Sequence, residues 1–536
     1  MARYLSRLAI TLLAPLSATA QTVWLNPGTA SWYDARNWSQ GVPDSNDAWI
    51  DNGGTAVAAG GPVSINEFSV ARNAFASALF ENRVQVTTYN DTIIALNAGA
   101  SGTLTVLDSG TTFSCGSNLR IGSSGEGTFI LRNGAHFTDI SALAPDAGGS
   151  ATIIVDGAGT QWTNSSYVEI GASGRATLTI SGGAVVSSAG AFISLRPGGE
   201  GTVTVTGAGS SLNSYVMQIA SRGDGMLSIS NGGSVDIGSY VALADGFAAL
   251  TARLQIDGAN SRLSGGNFRL GDMGSALVTV SNGGSLIGTD GSPIILANKA
   301  GSNGTLNIGN GGGAGTVSAT SMTAGDGNAI VNFDHSDDIT FALPMSGALA
   351  VTQAGTGTTE LAGVHTYTGA TDVSAGTLLV TGSLGNTATT VEKAGVLAGD
   401  GSISGAVELM SGGTISPGND VGTLSAGALH WNAGGSFDFQ LGADEANSDY
   451  LELTSALTKS GSGTYQFHFR DGNAPPTLTT YTLITFAASH GFSASDFSFT
   501  YSGANPSLHG TFELTPTALL FHVASLPVRL QDFSVE

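Results

Sequence analysis

The sequence predicts an all-β chain wound into a right-handed parallel β-helix, a β-solenoid, with a small C-terminal antiparallel β domain. Three observations predict it: an apolar motif that returns at nearly regular intervals, a glycine at a set place after each copy, and a composition rich in turns. Glycine supplies 78 of 536 residues, about 15%, against roughly 7% in an average chain. Charged residues make up only 11%, while 41% are hydrophobic, enough for a shared core when they recur periodically.

The motif reads small-Thr-apolar-x-apolar, and its copies begin near residues 101, 127, 151, 176, 201, 225, 252, 276 and 304. Each copy places two apolar residues two apart, as in Leu104/Val106, Ile153/Val155, Leu178/Ile180, Val203/Val205 and Leu306/Ile308. That spacing sets both side chains on one face of a strand, which becomes the interior. A glycine follows each pair, often after Asp or Asn, as in Asp156-Gly157, Asn231-Gly232 and Asp257-Gly258, and these residues tolerate the positive φ of a corner. Most copies then show a second short strand ending in a small residue, such as Val168/Ile170-Gly171 and Met217/Ile219-Ala220.

About 25 residues at roughly 3.3 Å each give a contour near 80 Å, one coil of two or three short strands with their turns. A lone coil cannot bury its inner face, so stability builds from the contacts between neighbours. A propeller blade needs about 40 residues and four strands, longer than this beat. Residues 101–327 are therefore read as about nine such repeats.

The flanking segments change character. Residues 1–20 read as a signal peptide, with Arg3 and Arg7 before an apolar run and Ala18-Thr19-Ala20 before Gln21. After its removal no stretch reaches the ~18 unbroken apolar residues of a membrane span. Loss of the two arginines takes the formal charge from -22 to -24, a field that repels nucleic acid. Residues 21–100 hold Trp24, Trp32, Trp38 and Trp49, expected to cap and fill the first coils; stacking of Trp32 and Trp38 on sugars is the rival role. From about 328 the regular beat fades. Residues 328–429 form a second β-rich series, and residues 430–524, with alternations such as Phe437-Asp438-Phe439, are expected to close the stack as an antiparallel cap. Residues 525–536 are a tail.

On these residues the chain resembles known repeat families. Residues 101–327 are similar to the repeats of type V secretion and PEP-CTERM proteins. The segment with Leu361-Ala362-Gly363-Val364-His365-Thr366-Tyr367-Thr368-Gly369, Ala375-Gly376-Thr377-Leu378-Leu379-Val380 and Ser416-Pro417-Gly418-Asn419 resembles the autotransporter-associated β-strand repeat. The resemblance implies a passenger-like β-helix, secreted or displayed on a Gram-negative cell, whose repeats are defined by scaffold positions rather than catalytic ones. The roughly 95 residues from 430 are fewer than an eight-stranded membrane barrel with its loops needs. No PEP-CTERM ending is present, and Leu526-Pro527-Val528-Arg529-Leu530 resembles the lead into a type IX sorting module, so the route of anchoring stays open.

No nucleophile elbow, zinc-protease helix or phosphate loop stands in the sequence. Cys115 has no second cysteine to pair with and reads as a small core residue. Asp334-His335-Ser336-Asp337-Asp338 is the densest polar knot and could bind a cation or simply bridge the two repeat series. For polysaccharide cleavage, adjacent coils would have to supply paired carboxylates; Glu169 and Asp236 fall on different coils, Arg253, Arg269 and Asp272 are scattered, and no ladder of acids recurs at one phase. The expectation is a non-enzymatic structural or adhesive protein without catalytic, metal or cofactor residues. Its expected partners are extracellular polysaccharide or other cell-surface components. The alternative is a polysaccharide-binding or polysaccharide-cleaving enzyme.

Overall fold

The computed structural model describes residues 21–246, 251–477, 479–504 and 508–524. The expected signal peptide and the tail lie outside the described residues. Between them runs a parallel β-solenoid of about 17 turns, nearly devoid of helix. At ~4.8 Å per turn the stack extends about 80 Å.

One coil shows how the residues build it. Ser101–Leu107 is a strand whose side chains alternate between half-buried and buried, so Gly102, Leu104 and Val106 point inward. Asp108 and Gly110, at φ 75° and 85°, turn the corner. Thr112–Cys115 and Asn118–Ile121 then run along the second side, and Gly122 at φ 66° turns back. The next strand, Glu126–Arg132, lies beside the first in parallel, with Leu104 against Phe129 and Val106 against Leu131. Gly122 is required twice over: its φ is left-handed, and a Cβ there would stand 2.0 Å from the Ser150 carbonyl oxygen.

The register holds through the repeats. Ser150 pairs with Arg175 and Arg175 with Glu200, the same step along the chain each time, while the step from Ser275 to Asn303 is slightly longer. Leu178 sits directly against Val203, both fully buried in one continuous core. In the middle coils the two short strands fuse into single bent strands, Gln161–Ile170, Val185–Ile193, Ser211–Ile219 and Ser234–Leu243. The copy that reads irregularly at 141–145 joins the same row as His136–Ala144. Cys115 is buried.

Trp24, Trp32 and Trp38 are buried and meet edge to face, with ring centroids 4.9 and 4.7 Å apart. An aromatic column continues from Trp32 through Phe68, Phe80, Phe113 and Phe137. Such edge contacts add about 0.5–1.5 kcal/mol each beyond area burial.

The second series differs in dimension. A new sheet begins at Asp338–Phe341, and Thr358, Thr377 and Val396 follow one another at equal intervals shorter than those of the first series. The contour falls to about 63 Å at ~3.3 Å per residue, so this part is narrower. Short strands such as Val364–His365 and Thr371–Val373 fill the remaining sides.

Parallel winding continues further than the sequence suggested. Ser436–Leu441, Tyr465–Asp471 and Phe497–Tyr501 stack in parallel, with Phe437 against Phe467 and Phe467 against Phe499. Among the described strands antiparallel pairing joins Thr480–Thr485, His509–Leu514 and Ala518–Ala524, and isolated antiparallel bridges stand at Trp24–Trp38, Ser281–Ala314 and Gly399–Gly418. The physical reason is simple: inward-outward alternation has period two in either strand direction, so aromatic spacing cannot distinguish them.

Candidate functional site

The corner that follows the second side of each coil gathers Glu169, Arg269 and Asp272 of the charged groups singled out above. Ala144, Ile170, Ile193, Ile219, Leu243 and Leu270 form one inward row. Two residues past Ala144, Leu243 and Leu270 stand Asp146, Asp245 and Asp272, while Ala172, Leu195 and Ser221 hold that place on the coils between, so acids share the phase without forming a ladder. They escaped notice because they lie in corner loops outside the strand motif. The signal that could have found them is position counted from the closing apolar residue.

Each carboxylate has partners. Arg120 reaches Asp146 at 3.1 Å, and Arg269 approaches Asp272 at 3.7 Å while the Asn298 amide donates to it. Gln218 donates to Asp245, whose other oxygen is buried without a hydrogen bond. Burial raises the Asp245 carboxyl above its ordinary range, and the Asp272 charge adds to the rise. Glu169 lies earlier along the same wall, its side chain fully buried and held by Arg196 at 3.1 Å. Burial raises it too, with the Arg196 charge opposing. Leu195, Gln218, Ser221, Arg222, Asp245 and Met273 line a shallow groove of about 310 Å³ at this corner. Arg269 and Asp272 thus come together, whereas Asp236 pairs with Arg262 on the second side and Arg253 lies on the long-strand side.

The Asp334–Asp338 knot is a junction. His335 is buried; its Nδ1 faces the Asp337 carbonyl at 2.9 Å and carboxylate at 3.1 Å, and its Nε2 meets the Thr359 hydroxyl at 2.8 Å. Thr359 donates to Gln353, whose amide in turn donates to the Gly355 and Gly357 carbonyls. The Thr359 hydroxyl thus bridges the His335 ring and the Gln353 amide. Asp337 accepts from the Ala314 amide. Among the described residues no three His, Cys, Asp or Glu side chains are placed to hold a metal ion.

Trp32 and Trp38 offer no sugar platform, since both are interior and the Trp38 indole donates to the Trp32 carbonyl at 2.8 Å. A second hydroxyl–imidazole–carboxylate contact stands where Thr480–Thr485 meets the closing hairpin: Thr480 Oγ1 to His522 at 3.0 Å, and His522 to Glu513 at 2.6 Å. His522 is 36% and Glu513 55% exposed, so nothing walls this trio off from water as nucleophilic catalysis favours.

Comparison with known proteins agrees with this architecture. Residues 351–380 match the Passenger-associated-transport-repeat family, spanning the strands from Val351 to Val380 where the narrow coils begin. The chain is 43% identical over 109 residues to the "Adhesin BmaC autotransporter" of Brucella suis biovar 1 (strain 1330), covering 20% of this chain and 3% of that protein. It is 34% identical over 121 residues to the "Extracellular serine protease" of Serratia marcescens, covering 22% of this chain and 11% of that protein. The chain thus spans a small part of either relative. The chain is thus a parallel β-helical repeat protein that carries a passenger-associated-transport-repeat at residues 351–380 and is similar, over about a fifth of its length each, to an autotransporter adhesin and to an extracellular serine protease.

Proposed function

We propose that the chain is a non-enzymatic, adhesin-like scaffold that holds a cell surface to extracellular polysaccharide or to another surface component. The observation that carries this reading is the parallel ladder, continuous over about 17 turns, whose outward rows are tied coil to coil by short polar side chains. Asp156 accepts from Ser181, Asp257 from Ser281 and Asn282, and Asn307 from Asn332. Such a wall is stiff, and its order accumulates from neighbour contacts rather than from one site. Similarity to an autotransporter adhesin supports the same role.

Catalysis is not proposed, because the acids that face the corner are already held by arginine or amide partners. One observation favours a second reading, cleavage of polysaccharide: Asp245 and Asp272 lie on successive coils beside a groove, and Asp245 is shifted toward the protonated acid that glycoside hydrolysis needs. Reducing-end assays on pectin, alginate and xylan separate the two. No release supports the scaffold; release abolished by Asp245→Asn would establish the enzyme. A deletion strain scored for attachment, with fractionation to locate the protein, tests the adhesive role. Unchanged attachment would refute it.

A further inference from the structure

Resting on the adhesive reading, we propose that the bend of the second side carries a binding subsite for a neutral polysaccharide chain, centred on Tyr215. Among the described residues eight large apolar side chains are exposed, and three of them, Tyr89, Ile140 and Tyr215, occupy this one bend. The register shows it: Thr88 pairs with Cys115, Asp139 with Asn164, Ser188 with Ser214, and the exposed residue is the next one each time. Between them stand only small residues, Gly116, Ser165 and Ala189, with Gly238 beyond. Counting coils, Ile140 is two beyond Tyr89 and Tyr215 three beyond Ile140, or about 10 and 14 Å along the axis.

Tyr215 is 63% exposed, and its ring leans over Gly238, where a Cβ would meet Cδ2 at 3.0 Å. Any larger residue at 238 would push the ring from this pose. The adjoining depression, about 450 Å³ and open, is lined by Ser187, Ser188, Asn213, Asp236 and Ser264. Asp236 is neutralised by Arg262 at 2.9 Å and accepts from Ser264, Ser188 donates to Ser214 and the Asn213 amide to Ser211, so the lining is uncharged on balance and made of hydroxyls and an amide.

That chemistry selects its ligand. Sugar hydroxyls both donate and accept, as the serine and asparagine side chains do, while the apolar face of a sugar ring suits an exposed aromatic. A protein interface would need a broader apolar centre than one tyrosine. Anionic glycans and nucleic acid meet a chain of formal charge -22. Apolar contacts spaced along the axis favour a linear polymer lying lengthwise across the coils.

The test is calorimetric titration of the full chain with cellohexaose, xylohexaose, chitohexaose and laminarihexaose, and with polygalacturonate as the anionic comparison. At least one neutral hexaose is expected to bind, more tightly than its disaccharide. Tyr215→Ala should weaken it at least tenfold, while Tyr215→Phe stays within threefold and Leu25→Ala, exposed elsewhere, leaves it unchanged. Silence with all four neutral hexaoses, binding of polygalacturonate alone, or a Tyr215→Ala variant that binds as wild type would overturn the subsite. Cells carrying Tyr215→Ala that attach normally while deletion cells do not would refute the subsite and leave the adhesive role standing. Tyr215-dependent binding with attachment indifferent to deletion would support the subsite and refute that role.

Discussion

Replacing Asp139 by Asn should make the protein's stability less sensitive to pH, and the structure sets the size of the effect. Asp139 is 4% exposed; one oxygen accepts from the Trp162 indole at 3.0 Å and the Asn164 amide at 2.9 Å, and the other has no partner. Burial pushes its carboxyl from 3.8 to about 7 despite those two donors. Below pH 3.8 the folded and unfolded chains both hold the proton; between 3.8 and 7 only the folded chain does; above 7 neither does. The contribution is therefore complete at low pH and is lost as pH climbs through 7. At about 1.4 kcal/mol per tenfold change in proton affinity, the loss totals about 4 kcal/mol. In the Asn variant the carbonyl can still accept from Trp162 and Asn164, but its amide donors meet no acceptor, a cost of about 1–3 kcal/mol at every pH. That cost cancels in the comparison between pH values. Guanidinium unfolding of wild type and variant at pH 4 and pH 8 should show the variant gaining about 4 kcal/mol relative to wild type at the higher pH. An equal offset at both values would refute the reasoning.

Three further outcomes follow from other positions. His365 is buried with both ring nitrogens unpartnered and its ionisation is pushed down from 6.5 to about 4, so the stability of the neutral form is present above 6.5 and falls by about 3 kcal/mol toward pH 4; His365→Leu should abolish that acid-side loss in the same unfolding series. Gly199→Ala would put a Cβ 2.0 Å from the Gly171 carbonyl oxygen and should cost about 1–3 kcal/mol or more. Gly148→Ala, at φ 83° with open space around it, should cost only the backbone strain of about 1–2 kcal/mol, a ranking that urea midpoints check. Arg196→Ala strands the buried Glu169 carboxylate and should destabilise by about 1–3 kcal/mol, discounted because Arg196 is half exposed; adding Glu169→Gln should recover most of the loss in a double-mutant cycle.

The wall itself was legible because its grammar is local. Two apolar residues spaced by two and a glycine soon after are enough to specify an inner row and a corner, and Leu178 against Val203 realises that pattern. The shorter beat of the second series was not, since short strands such as Val364–His365 leave too few apolar positions to mark a period. His335 reads as part of a charged surface run, yet tertiary contacts with Thr359, 24 positions away, draw it inside. Asp146, Asp245 and Asp272 share a phase that appears only when coils of unequal length are laid over one another. Tyr215 stands beside a register shift in its strand pairing, where the inward-outward rhythm that sequence periodicity relies on is interrupted.

The equal register of neighbouring coils has a consequence for how such a protein can change. Ser150 lies against Arg175, and Arg175 against Glu200, so removing residues 175–199 would set Ser150 directly beside Glu200 with every inner row still continuous. Length is thus a quantity that heredity can adjust in steps: loss or duplication of one such segment alters the reach of the rod by about 5 Å while each surviving surface keeps its neighbours. Length can evolve separately from whatever the flank displays.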